Sequence, residues 1–257
     1  MDSFNYWTKK LKSLNVENKE EPSSITTSIN QNISEEIITT DDEINLNLNS
    51  STAEHCLVVG ETTSGKTTLI NHIIRQNIHY FKYVIVFCKS SRYENDYVWL
   101  DPSLIFSKID INVLKKIILM QENAKKADNN SKRICVILDD VGGENFHGSD
   151  KKFWEDFITN ARHRNIVFLC SVQNLTMINP LMRNNFQNYF VTYIKHSAYQ
   201  SAYALMGGNL KDWQFEKALE KHCKEKFIAY WFYRDCKYDY ILIKQKKPKK
   251  WKISFTL

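Results

Sequence analysis

An α/β domain with a mainly parallel sheet and a C-terminal β-hairpin is what this sequence predicts, and three observations carry it. Short apolar runs (Cys56-Leu57-Val58-Val59, Tyr83 to Cys88, Ile134 to Leu138, Ile166 to Cys170, Tyr189 to Tyr193) lack the alternation of half-exposed strands, as expected of strands buried on both faces. Stretches of period 3.6 separate them, which is the β-α-β rhythm of a parallel sheet. The first run enters a glycine-bounded loop and then an amphipathic helix, while the third ends in two carboxylates, Asp139-Asp140.

The loop reads Gly60-Glu61-Thr62-Thr63-Ser64-Gly65-Lys66-Thr67, with Thr68 next, and it fits G-x-x-x-x-G-K-[ST]. Only seven glycines occur in 257 residues. Two of them at this spacing, between a strand and a helix, argue for a phosphate-binding P-loop rather than coincidence. Glycines let the backbone N–H groups turn inward around a β-phosphate. Lys66 then reaches the β- and γ-phosphates, Thr67 offers a hydroxyl to Mg²⁺, and the helix N-terminus adds its positive dipole end.

The second strand, Tyr83 to Cys88, leads into the polar and aromatic stretch 89–99, and a helix is predicted from Ile111 to Ala127. Asp139, ending the third strand, is the candidate metal-shell carboxylate and Asp140 the candidate for orienting or deprotonating water. The loop 141–149 precedes a helix whose apolar face is Phe153, Trp154, Phe157, Ile158 and Ala161 and which ends in Arg162-His163-Arg164. Ile166 to Ser171 is the next strand. In P-loop ATPases with an additional strand, the polar residue at this strand's carboxyl end lies beside the γ-phosphate, so Gln173 is the candidate sensor. Beyond Tyr189 to Tyr193 come two helical stretches broken at Gly207-Gly208. The runs 227–233 and 238–243 then form the terminal hairpin. Its aromatics read either as a base-stacking platform or, more simply, as half-buried packing.

Residues 1–50 are rich in Ser, Thr, Asn and Glu and are read as a flexible polar extension, in which Phe4, Trp7, Leu11 and Leu14 could form a short docking helix. Residues 51–243 form the P-loop domain and 244–257 a basic tail, suited to nucleic-acid contact or to a nuclear address. The extension carries four lysines and nine acids, leaving 31 basic and 20 acidic side chains, a net +11, on the rest of the chain. A basic body is compatible with a polyanionic partner. No apolar run approaches the ~18 residues of a membrane span. The start Met1-Asp2-Ser3-Phe4-Asn5 has no basic segment followed by an apolar one, so no signal peptide is expected. The six cysteines form no Cys-x-x-Cys pair, and four lie in or beside strand runs, the pattern of buried thiols rather than of a zinc site.

In combination, GETTSGKTT, the aromatic DYVW, VILDD, ARHRN, VFLCSVQ and PLMRNNFQNYFV resemble the genome-packaging ATPases of poxviruses, other large DNA viruses and virophages, within the FtsK–HerA superfamily. The resemblance covers about Cys56 to Tyr193. It implies a RecA-like core of the additional-strand class, a homo-oligomeric ring, and Mg²⁺-dependent ATP hydrolysis at subunit interfaces completed by an arginine acting in trans. It further implies double-stranded DNA drawn into a capsid, with a capsid or portal component as partner. The host cytoplasm (a viral factory), the nucleus or the virion would be its place. Arg162 lies where these enzymes show an Arg-His pair, and Arg183 is the second candidate for the trans arginine. One departure is the pair Asp139-Asp140, where many superfamily members have Asp-Glu. Two other readings compete. Asp139-Asp140-Val141-Gly142 also fits the D-x-x-G of GTP-binding switches, although no Asn-Lys-x-Asp follows. A small nucleotide kinase would need an arginine-bearing lid, and none is evident beside Arg92, Arg162 and Arg164.

Overall fold

In a computed structural model the described residues are 35–39, 55–88, 96–128, 132–141, 146, 148–208, 210–221, 225, 227–233 and 240–245. The expected docking helix around Trp7, Arg92, Gly142, the thiols Cys223 and Cys236, and the basic tail from residue 246 onward lie outside them. Among the described residues nine strands form one sheet: β1 (Glu35–Thr39), β2 (Cys56–Val59), β3 (Phe81–Cys88), β4 (Ile105–Phe106), β5 (Arg133–Asp139), β6 (Ile166–Val172), β7 (Asn188–Val191), β8 (Ile228–Tyr233) and β9 (Tyr240–Lys244). Their order is β1-β9-β8-β7-β2-β6-β5-β3-β4. All neighbours are parallel except β7 with β8 and β8 with β9. Among the described strands β8 alone runs against the rest, which confirms the mainly parallel sheet and the terminal hairpin. One strand falls within residues 1–50, the stretch read as a flexible polar extension, because Glu35–Thr39 pairs in parallel with β9 at the sheet edge. Its Glu-Glu-Ile-Ile-Thr composition hid it, since an edge strand carries little apolar signal.

Among the described residues six helices accompany the sheet: α1 (Lys66–Asn77), α2 (Ile111–Ala127), α3 (Lys151–Asn160), α4 (Pro180–Asn184), α5 (Tyr199–Met206) and α6 (Asp212–Lys221). Successive strand residues point to opposite faces, so each strand feeds two cores. Leu57 and Val59 join Ile117 of α2, Trp154 and Phe157 of α3 and Phe215 of α6 on one face. Cys56 and Val58 join Leu69, Ile70, Ile73 and Ile74 of α1 with Tyr97, Trp99 and Leu100 on the other. Both faces are covered, which is why the strands read as unbroken apolar runs. Cys56, Cys88, Cys135 and Cys170 are buried thiols outside any disulfide, as expected, and burial raises the Cys135 and Cys170 thiols far above their ordinary value. Helix α2 has the bounds its periodicity predicted, and Asp110 caps it by accepting from the Asn112 N–H at 2.8 Å. No helix among the described residues is long and apolar enough to cross a membrane.

Candidate nucleotide site

The phosphate loop leaves β2 between the carboxyl ends of its two neighbours. Gly60 N–H donates to Val172 O at 3.0 Å, at the last residue of β6, and Glu61 N–H to Tyr193 O at 2.7 Å, beyond β7. Glycine at 60 is a steric requirement, since a Cβ there would fall 1.8 Å from Thr192 Oγ1. That hydroxyl in turn lies 2.6 Å from Ser64 Oγ, bracing the loop against the end of β7. Thr63 (φ 64°) and Gly65 (φ 95°) hold left-handed conformations, which fold the loop back over itself. Helix α1 then starts at Lys66 with no side-chain cap and no acidic residue in its first turn. Its leading N–H groups and positive dipole end are therefore left for an anion. Lys66 is buried, with Nζ donating to Gly60 O at 2.8 Å and Glu61 O at 2.9 Å, so the ammonium lies inside the loop's curve. Thr62 and Thr63 are exposed at its tip, and Thr67 and Thr68 are half-buried.

The additional strand β6 lies between β2 and β5. This insertion puts the sensor position next to the loop and the acids one strand further on. Asp139 is 2% exposed. Its Oδ2 accepts from Thr67 Oγ1 and from Tyr97 OH, each at 2.8 Å, and its Oδ1 accepts from Ser171 Oγ at 2.5 Å. Asp140 is in a left-handed conformation (φ 56°), a sparsely populated state for a residue with a side chain. Its Oδ1 accepts from Gln173 Nε2 at 2.9 Å and its N–H donates to Ser171 Oγ at 3.0 Å. Ser171 thus touches both acids, and the two candidate roles, metal-shell acid and water-directed acid, fall on carboxylates with different surroundings. Thr67 and Asp139 supply hard oxygen donors side by side, a set that suits Mg²⁺.

Three participants were not singled out as site residues by the sequence. Tyr97 is fully buried, and burial followed by the charge of Asp139 pushes its phenol well above 10, so it remains a donor. Its segment is clamped to α1 by Asn71, whose Nδ2 donates to Asp96 O at 3.1 Å and whose Oδ1 accepts from Trp99 Nε1 at 2.8 Å. Ser171 and Thr192 complete the set. Strand register alone makes Ser171 a partner of Asp139.

The candidate arginines lie elsewhere. Arg162 precedes β6, whose seven residues separate it from the loop end of the sheet by roughly 20 Å at ~3.3 Å per residue. Arg183 is in α4, shortly before Gln187 and Asn188, whose N–H groups donate to His55 O at the start of β2. Both arginines therefore belong with the amino ends of the strands, and neither shares a hydrogen bond with the loop. Arg164 is committed to ion pairs with Glu122 at 3.0 Å and Asp156 at 2.9 Å.

Fold and site define a P-loop NTPase. Solved structures of the same fold include the genome packaging NTPase B204 from Sulfolobus turreted icosahedral virus 2 in complex with ATP-gammaS (TM-score 0.51, 14% identity, 72% of this chain and 95% of that one). The pCW3 conjugation coupling protein TcpA (0.54, 14%, 77% and 60%) and the cytoplasmic domain of the Type VII secretion ATPase EccC of Thermomonospora curvata (0.52, 10%, 74% and 26%) share it too. At these identities the likeness is one of fold. Residues 46–207 match the Poxvirus A32 protein family, and the chain belongs to it, as the resemblance in its motifs implied. An uncharacterized protein, 075L of Invertebrate iridescent virus 6, is 25% identical over 150 residues, 56% of each chain. The chain thus spans about half the length of the curated relative it matches.

Proposed function

We propose that the protein is a Mg²⁺-dependent ATPase that, as a homo-oligomeric ring, draws double-stranded DNA into a viral capsid, with each ATP hydrolysed at a subunit interface. The observation that supports this most is the linked pair of acids. Asp139 is joined to the phosphate-loop Thr67, and Asp140 is joined to Gln173, within one hydrogen-bonded set. Such a set provides a place for the metal and, one strand away from the loop, a carboxylate and an amide to direct water at a γ-phosphate. Family membership and the packaging role named for the similarly folded B204 support the DNA motor over other uses of ATP. Net charge supports the DNA partner, since +11 on residues 51–257 favours sequence-tolerant phosphate contacts. A capsid or portal partner, and residence in the infected cell or virion, follow from the same reading. The test is ATP turnover with and without duplex DNA, alongside GTP. Turnover stimulated by DNA, abolished in Lys66→Ala and weakened steeply by salt, is expected. GTP hydrolysis without DNA response would favour a switch protein instead.

A further inference from the structure

The open end of the hairpin abuts the phosphate loop. Beyond the last ladder pair of β8 and β9, Ile228 with Lys244, Gln245 N–H donates to Phe227 O at 2.7 Å. Because β8 runs against β7, this pair lies at the same end of the sheet as the loop. A methyl group placed on Gly65 would sit 3.4 Å from Gln245 Oε1, 3.5 Å from its Nε2 and 3.5 Å from Phe227 Cδ1. Both residues behave unlike their neighbours. Tyr230, Trp231 and Phe232 are at most 7% exposed, whereas Phe227 is 41% exposed. Phe227 also holds φ at 63°, a conformation that a bulky side chain disfavours. Gln245 is 9% exposed, yet neither its Oε1 nor its Nε2 has a hydrogen-bond partner. A buried amide without partners is unfavourable unless something else satisfies it.

Sheet order says what that could be. Gln173 and the two acids, the groups for the γ-phosphate and the metal, belong to β6 and β5 on one side of β2. A nucleotide seated in the loop has its base at the far end of its phosphates. With the γ-phosphate directed at Gln173 and the acids, that end would face the other side, where β7, β8 and β9 lie.

We propose that Phe227 and Gln245 form the base subsite of the nucleotide site, Phe227 giving a face for the purine and Gln245 selecting adenine over guanine. This deepens the ATPase reading and rests on it. An aromatic face accepts any base, so selection falls to the amide. A carboxamide presents one acceptor and one donor group side by side, which matches the N6 amino group and N7 of adenine. Guanine offers acceptors at both O6 and N7, and the amide oxygen would face one of them. No motif marks this pair in the sequence, because the two residues are 18 positions apart and meet the loop only through the hairpin.

The experiment is calorimetric titration of the full chain with ADP, GDP and pyrophosphate in the presence of Mg²⁺. Wild-type protein is expected to prefer ADP over GDP. Phe227→Ala should weaken ADP by about tenfold or more with pyrophosphate unchanged, and Phe227→Trp should restore it. Gln245→Ala should reduce the ADP preference by roughly tenfold, again without touching pyrophosphate. Unchanged ADP binding in both alanine variants would overturn the subsite. Equal losses for ADP and pyrophosphate would overturn it too, since the pair would then only brace Gly65. Wild-type protein that binds neither ADP nor pyrophosphate would instead remove the nucleotide reading beneath it.

Discussion

The two ends of the sheet treat their charged groups in opposite ways. At the carboxyl end, donors converge on acceptors within the chain: Thr67, Tyr97 and Ser171 on Asp139, and Gln173 on Asp140. At the amino end, Arg162 Nε and Arg183 Nε are buried without hydrogen-bond partners. Burying such groups is tolerated where they gain something elsewhere. The difference teaches how the labour is divided: one chain gathers its two acids beside the phosphate loop unaided, and Arg162 and Arg183 lie a strand's length away from that site. The ring proposed above would resolve the mismatch, since the amino end of one subunit would then serve the loop of the next.

The most severe way to break this comparison is to remove the cation. A charge supplied in trans is worth about 10³-fold or more in other P-loop enzymes. Arg162→Ala is expected to lower ATP turnover by that order while ADP binding by the isolated chain stays intact. Lys66→Ala protein should be inactive as well. Rings mixed from the two contain interfaces with one intact loop and one intact arginine, so partial activity should return. Co-assembled mixtures that stay dead would exclude Arg162 as the donor, and the same mixing with Arg183→Ala would then decide for the α4 arginine.

A smaller effect separates the two acids at the carboxyl end. Asp140→Asn keeps the partner of Gln173 but removes the charge proposed to act on water. Turnover should fall by ~10²-fold with nucleotide affinity nearly unchanged. Wild-type turnover in this variant would reassign the water-directed role, and the departure from Asp-Glu would then be functional rather than conservative.

What was legible in the sequence is what short range encodes. The loop, the strand ending in Asp139-Asp140, the bounds of α2 and the hairpin all follow from spacing and period within a few residues. Tyr97 was not legible as a site residue, because its hydroxyl meets a carboxylate 42 positions away. Thr192 meets Ser64 across 128 positions. Nothing local distinguishes either from a core tyrosine or a strand threonine. Strand β1 was hidden for a different reason, since its pairing with β9 needs a distant partner and its composition is polar at one end. Among the arginines, sequence named the segment but not the division of roles within it. Only the ion pairs of Arg164 with Glu122 and Asp156 show that Arg164 is already occupied.

The mildest prediction reads the amino end through pH. His55 is completely buried, with Nδ1 accepting from the Phe168 N–H at 3.3 Å, a role that an imidazolium cannot fill. Burial first, and then the charge of Arg162, lower its pKa from 6.5 to about 3, against a weaker opposing hydrogen bond with the Ile158 backbone. The unfolded chain therefore binds this proton at a pH where the folded chain does not. Stability from His55 is fully present above 6.5 and is lost progressively as pH falls toward 3. Between pH 7.5 and 5 the loss is about 2 kcal/mol, from roughly 1.5 pH units at 1.36 kcal/mol each. Urea midpoints across that range should fall for the wild type and stay flatter for His55→Gln, whatever the variant's stability at pH 7.5. Parallel curves would mean that the acid sensitivity comes from another group. Arg162→Ala sharpens the result: without the neighbouring charge the His55 pKa rises part of the way back, and the acid loss should shrink in proportion to how closely that guanidinium is held against the imidazole.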